Sequence, residues 1–243
     1  MVHLATASLL DCEKDPLMGF RVIVNGFITF IQNAMDQGVQ RIILASTAEV
    51  YGASSRVPLK EGVAPLRPIS IYGFLKACVD LYALEKAREN RISLCILRFF
   101  NLYGRAVDGS MPPTVLRLFS ERILKGEPVV LYGSYRNSRD FIHVKDAARA
   151  LLLAIRNSQA TGVIHVASER ETCLRDAAQK LARLAGRKLV IDFRPREGRL
   201  RAMVADCQRA HRLLKFYPKV SLEQGLCDVL EGVSTANGSH LKK

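Results

Sequence analysis

Three apolar runs of strand length, separated by stretches with helical periodicity, constrain this chain's fold more than any other feature. Val2-His3-Leu4-Ala5 reads as a short buried strand, and Arg41-Ile42-Ile43-Leu44-Ala45-Ser46 as a second one bounded by polar or turn residues. Between them, positions 20, 23, 24, 27, 28, 31, 34 and 35 are apolar. That spacing is one face of a helix over 20–37, with Gly38 placed to stop it. A loop over 53–69, carrying Pro58, Pro65 and Pro68, is of a length that often serves as a lid. A helix over 71–90 then leads into a third strand over 92–99. Alternation at these lengths predicts an α/β fold with a parallel sheet. Ligands of such sheets bind at the carboxyl ends of the strands, which here carry Ser46-Thr47-Ala48-Glu49 and Asn101.

Beyond Gly104 the pattern changes. Helices are expected over 113–125, 146–157 and 173–185, the last with Thr172 as its N-cap and Gly186 as its stop. Strands are expected over 129–132, 162–167 and 188–193. A last amphipathic stretch follows, and 232–243 reads as a polar tail. The domain reading is residues 1–104, with 139–168 returning to them, and a second domain built mainly from 105–243.

Composition narrows the class of partner. Of the 243 residues 49% are apolar and 24% charged, as in ordinary globular proteins. No apolar run approaches membrane-spanning length, and no basic segment precedes an apolar one at the start, so neither a membrane span nor a signal peptide is expected. Six scattered cysteines without a C-x-x-C pair suggest reduced thiols and a cytoplasmic protein. The net charge of +13 includes a cluster of Arg194, Arg196, Arg199 and Arg201. Without an aromatic-interleaved basic stretch, that charge suits a small anionic ligand better than a nucleic acid.

The chemistry centres on Ser70-Ile71-Tyr72-Gly73-Phe74-Leu75-Lys76. Residues at i and i+4 share a helix face, so the Tyr72 phenol and the Lys76 ammonium can point into one site. A nearby ammonium favours the phenolate, so the expectation is a Tyr72 pKa lowered by Lys76 and a phenol able to exchange a proton near neutral pH. His3 and His143 read as structural, without the company of metal ligands.

Four stretches stand in one order: Ser46-Thr47-Ala48-Glu49-Val50-Tyr51-Gly52, Tyr72-x-x-x-Lys76, Arg98-Phe99-Phe100-Asn101-Leu102-Tyr103-Gly104 and Arg139-Asp140-Phe141-Ile142-His143-Val144. In order and spacing the chain resembles the extended short-chain dehydrogenase/reductase family, the NAD-dependent nucleotide-sugar epimerases and dehydratases typified by UDP-glucose 4-epimerase. The resemblance implies a partial Rossmann-like doubly wound parallel sheet holding NAD and a smaller α+β C-terminal domain holding a nucleoside-diphosphate sugar. It implies transient oxidation of the sugar, usually at C4, with Thr47, Tyr72 and Lys76 as the catalytic set. Cofactor contacts would fall on Ala5, Ser46, Tyr72, Lys76 and Phe99, and substrate diphosphate contacts on Asn101, Arg139 and Arg196. Arginine suits that task because its planar fork makes parallel bonds to phosphate oxygens. Helices 20–37 and 71–90 resemble those of the family's dimer bundle, so a homodimer is expected.

The sequence also departs from the family pattern. The Gly-rich strand–turn–helix that receives the NAD pyrophosphate has no counterpart here, and Val2 to Ala5 matches the family's fourth strand. The first strands of the sheet are therefore missing, and the reading is an N-terminally incomplete enzyme. A family Asn falls on Val22, and the Asp of an R-x-G-D pattern falls on Arg199. Glu49 keeps a second reading alive, as the C5 base of a 4,6-dehydratase or an acid of a UDP-glucuronate decarboxylase, although Ala48 replaces the dehydratases' Asp. A third reading is a catalytically inactive, nucleotide-sugar-binding relative.

Overall fold

The computed structural model describes residues 1–52, 58–105, 114–133, 137–194 and 202–239, with side chains as far as residue 235. The first part contains β1 (Val2–His3), α1 (Leu9–Lys14), α2 (Pro16–Phe20), α3 (Gly26–Asp36), β2 (Arg41–Thr47), α4 (Ile71–Glu89) and β3 (Ser93–Phe99). It continues with β4 (Asn101–Tyr103), α5 (Val115–Lys125), β5 (Val129–Tyr132), β6 (Ser138–His143), α6 (Val144–Arg156) and β7 (Gly162–Val166). The last elements are β8 (Glu171–Cys173), α7 (Leu174–Leu184), β9 (Ile191–Arg194) and α8 (Leu222–Ser239).

A four-stranded sheet in the order β1-β2-β3-β7 is parallel throughout. Its strands are continuously apolar because both faces are covered, which is the usual condition of parallel sheets. The two-residue period then sorts side chains between two cores. Ile42, Leu44, Leu94 and Ile96 join Phe27, Ile31 and Val79 from α3 and α4. Their neighbours Ile43, Cys95 and Leu97 turn the other way, with Ile164 and Val166, onto Ala150 and Ala154 of α6. The helix expected over 20–37 forms as α2 and α3 joined by a π-helical turn, Arg21–Asn25. It stops where Gly38 takes a φ of 67°.

The remaining strands make two smaller sheets. β6 lies parallel to β4 and antiparallel to β8, while β5 pairs with β9 in parallel. Leu116, Phe119, Leu181 and Leu226 from α5, α7 and α8 pack with Val129 and Leu131 into a third core. Two expectations need correction. Thr172 does not cap α7, because it is paired with Arg139 inside β8, and Cys173 occupies the N-cap position. The polar tail is also shorter than expected: α8 continues to Ser239 and buries Val233 in the third core. The described part of the proline-rich loop is docked rather than open, with Leu59 bridged to Ala205 and buried.

Asp140 ties these layers together. Its buried carboxylate accepts hydrogen bonds from Ser168 N and Oγ at 2.8 and 2.7 Å, Glu169 N at 3.0 Å and Ala205 N at 3.2 Å. Truncation would strand four donors, Ala205 N fully buried and the others partly so, each costly to leave unmade. Asp140→Ala is expected to lose about 3 kcal/mol or more of stability, measured as a lower urea midpoint. Asp140→Asn, which retains one acceptor oxygen, should lose less.

Candidate active site

The parallel register brings the ends of β2 and β3 level, with Thr47 opposite Phe99. Just beyond, Thr47 caps a 3₁₀ turn, Ala48–Tyr51, its Oγ1 accepting from Glu49 N at 3.2 Å. Ser70 caps α4 in the same manner, taking Gly73 N at 3.0 Å, so Tyr72 lies in the helix's first turn. The two caps meet because residue 73 has no side chain: a Cβ there would stand 2.6 Å from Glu49 O. Glu49 and Tyr72, distant in sequence, thus line one wall.

The resulting cavity has a volume of about 510 Å³. Ser46, Thr47, Glu49, Tyr72, Phe99 and Asn101 all line it, together with the segment from Thr6 to Leu10. A smaller pocket of about 240 Å³ adjoins it through Glu49 and Asn101 and is also lined by Arg139. Asn101 Nδ2 donates to Asp140 O at 3.2 Å, and Arg139 Nη1 to Ser138 O at 2.8 Å. Of the other expected residues, Ala5 is exposed and does not line the cavity, which its neighbour Thr6 lines instead. Arg196 lies outside the described residues. His3 packs its ring on Phe27 and Phe30. His143 caps α6 through Nδ1, and its Nε2 bonds Asp228 at 3.1 Å, so both histidines have structural settings.

The expected lowering of the Tyr72 pKa does not appear. Burial pushes the Tyr72 phenol up to about 12, and the Glu49 carboxylate adds to the rise, against hydrogen bonds from Thr6 and Thr47 that lower it. Lys76 is not among the main influences on that balance, and its buried ammonium donates to Ala45 O at 2.7 Å. Burial also lowers the Lys76 pKa.

Beneath the cavity runs a buried polar chain that the sequence reading did not assign. Asp80 accepts from Ser46 Oγ and Arg98 Nε, both at 2.9 Å, and its second oxygen has no partner among the described residues. Arg98 also donates to Tyr51 OH at 2.7 Å, and Tyr51 OH meets His165 Nε2 at 2.6 Å. A signal for Asp80 was available: Tyr72, Lys76 and Asp80 repeat every four residues and so share one face. Thr6, Thr114, Leu118 and Met203 had no comparable signal, since tertiary folding alone brings them to the cavity.

A level pair of parallel strand ends, a Thr and a Tyr converging on one cavity and a Lys one turn along define the class: a Rossmann-type α/β protein with a short-chain-dehydrogenase-like site. The NAD dependent epimerase/dehydratase family model matches residues 1–167, and the chain belongs to that family of enzymes. It is 26% identical over 235 residues to a putative UDP-glucose 4-epimerase of Methanocaldococcus jannaschii, covering 96% of this chain and 76% of that one. It is 30% identical over 229 residues to the dTDP-glucose 4,6-dehydratase of Streptomyces griseus, covering 93% and 69%. Among solved structures, UDP-glucose 4-epimerase from Thermotoga maritima with UDP-glucose superposes at a TM-score of 0.87 and 30% identity, covering 97% and 77%. The Thermus thermophilus UDP-glucose 4-epimerase complex with NAD gives 0.84 and 26%, covering 97% and 77%.

NAD is the family's cofactor, and the residues present fit its nicotinamide-ribose end: a largely apolar cavity at the strand ends with hydroxyls on one wall. Among the described residues, no Gly-rich turn faces that cavity for the pyrophosphate.

Two outcomes are expected. Gly73→Ala should drive Glu49 and Tyr72 apart and cost about 1–3 kcal/mol, as overpacking does, read as a lower melting temperature. His165 is pushed down to about 4 by burial and by Arg98. It is therefore neutral in the fold, and the stability this contributes is present above its unfolded value of 6.5 and lost as pH falls toward 4. Unfolding midpoints across that window should fall less steeply in His165→Asn than in the parent.

Proposed function

We propose that the chain acts in NAD-dependent epimerisation of a nucleoside-diphosphate sugar through transient oxidation at C4. The observation that supports it most is the convergence of the Thr47 and Tyr72 hydroxyls on one cavity that opens, past Asn101, into the Arg139 pocket. In this reading a sugar hydroxyl lies between those two groups, and its diphosphate reaches toward Asn101 and Arg139. When bound, NAD would accept a hydride from the sugar carbon and return it. Tyr72 exchanges the hydroxyl proton, and Thr47, whose oxygen accepts from Glu49 N and whose hydroxyl bonds Tyr72, would turn its proton to the reacting oxygen. At neutral pH the phenol holds its proton in this structure, so the proton-accepting form needs a positive charge nearby. Lys76, one turn along, is the chain's own source of it.

Glu49 supports a second reading, as a sugar-nucleotide 4,6-dehydratase or decarboxylase. Glu49 lines both cavities, and its carboxylate acts on the Tyr72 phenol. The division of labour between a cofactor part, residues 1–104 with 139–168, and a substrate part, mainly 105–243, belongs to the same proposal. It is supported by the separate cores and by the return of β7 to the main sheet. A homodimer through 20–37 and 71–90 is proposed likewise. Phe20, Phe74 and Leu81 are exposed on those helices, and exposed large apolar side chains of this kind are available to an interface. Among the described residues no helix is long and apolar enough to cross a membrane.

Titration of the 243-residue chain with NAD, followed by turnover of UDP- and TDP-sugars, tests the reading. Interconversion of C4 epimers supports epimerisation, and a 4-keto-6-deoxy product supports the dehydratase. Tyr72→Phe should lower kcat by about a hundred- to ten-thousand-fold, the range for removing a general acid–base group. Glu49→Gln should abolish dehydration while leaving an epimerase active. Sugar-nucleotide binding with no NAD binding at millimolar concentration would overturn the enzymatic reading of this chain.

A further inference from the structure

A separate cavity of about 340 Å³ shares no lining residue with the main one and only Phe141 with the Arg139 pocket. Arg170, Lys180 and Lys219 line it, and among the described residues none of the three has an acid partner. Its only carboxylate is Glu171, which accepts from Ser138 Oγ at 2.5 Å. Three cations against one anion leave the lining at a formal net charge of +2.

The rims are built rather than loose. Asp140 takes the N–H groups of Ser168 and Glu169, fixing the backbone that leads into Arg170. Asp146 takes those of Lys219 and Val220, fixing the opposite rim. Lys180 reaches in from α7. Tyr103 is 1% exposed, and its hydroxyl lies against Gly225 in the first turn of α8, where a Cβ would stand 2.3 Å away. Tyr103 lines the cavity, and burial together with the Asp146 and Asp228 carboxylates pushes its phenol up, so it keeps its proton as a donor.

We infer that this cavity is a second anion site that takes a small diphosphate-bearing ligand, apart from the cavity proposed for catalysis. Its volume is near the lower end of ligand pockets, roughly 300–1,000 Å³, which suits a diphosphate group rather than a whole dinucleotide. The guanidinium of Arg170 offers a fork for two phosphate oxygens, the lysines add point charge, and Tyr103 supplies a neutral donor. The inference stands independently of the proposed activity.

Calorimetric titration of the full chain with inorganic pyrophosphate tests it. The double variant Arg170→Ala/Lys180→Ala should weaken one binding event by about tenfold or more, since each charge-assisted contact carries that order of affinity. Arg139→Ala and the distant Lys86→Ala should leave that event in place. Tyr103→Phe, which removes only the hydroxyl, should weaken it by several-fold, and it serves as the readout if the double variant does not fold. The inference is overturned by no binding at millimolar pyrophosphate. It is equally overturned if Arg139→Ala alone abolishes binding, or if Lys86→Ala weakens it as much as the double variant does, the mark of diffuse attraction to a basic surface.

Discussion

The ion pair between Asp80 and Arg98 is the contact on which the site's geometry rests. It joins α4, which carries Tyr72 and Lys76, to β3, whose end forms the cavity rim. Both side chains are almost completely buried, where removal of one partner leaves an uncompensated charge. Burial raises the Asp80 pKa while Arg98, Ser46 and Lys76 pull it down, and those same partners hold the carboxylate in place. Through Ser46 the pair reaches the main cavity, and through Tyr51 it reaches His165 on β7. One guanidinium and one carboxylate therefore fix a helix and three strands relative to one another.

Much of this was legible in the sequence, for a local reason. Continuous apolar runs and 3.6-residue periodicity depend on neighbours along the chain, so β2, β3, α3 and α4 could be read directly. The Thr47, Glu49, Tyr72 and Asn101 cluster followed from strand ends and motif order. What was not legible depended on partners distant in sequence. Thr172 has the chemistry of a cap, yet pairing with Arg139 claims its backbone first. The end of α8 looks polar, yet Val233 meets a core assembled from α5 and α7. Lys76 has the spacing to act on Tyr72, but Ala45 O competes for its ammonium at 2.7 Å. Spacing identifies which groups share a face; it does not identify which acceptor wins.

The two larger cavities divide the chain's polar chemistry. The main one holds hydroxyls, a carboxamide and one carboxylate among apolar walls, a setting for proton exchange with little standing charge. The other is lined by three exposed cations, Arg170, Lys180 and Lys219, and by Tyr103. A net charge of +13 is thus not simply spread over the surface. Part of it is gathered at a concave site, which focuses its pull on anions.

Asp140 also has a consequence for how the protein comes to be made. Its four hydrogen bonds come from residues 168, 169 and 205, so the carboxylate is incompletely satisfied until a segment 65 positions downstream has arrived. Helices can form as the chain emerges, because their contacts are local in sequence. The layer around Asp140 closes only after residue 205 has been synthesised. Until then a growing chain carries an exposed acid at the seam where its cores will join, a natural checkpoint between local structure and the finished molecule.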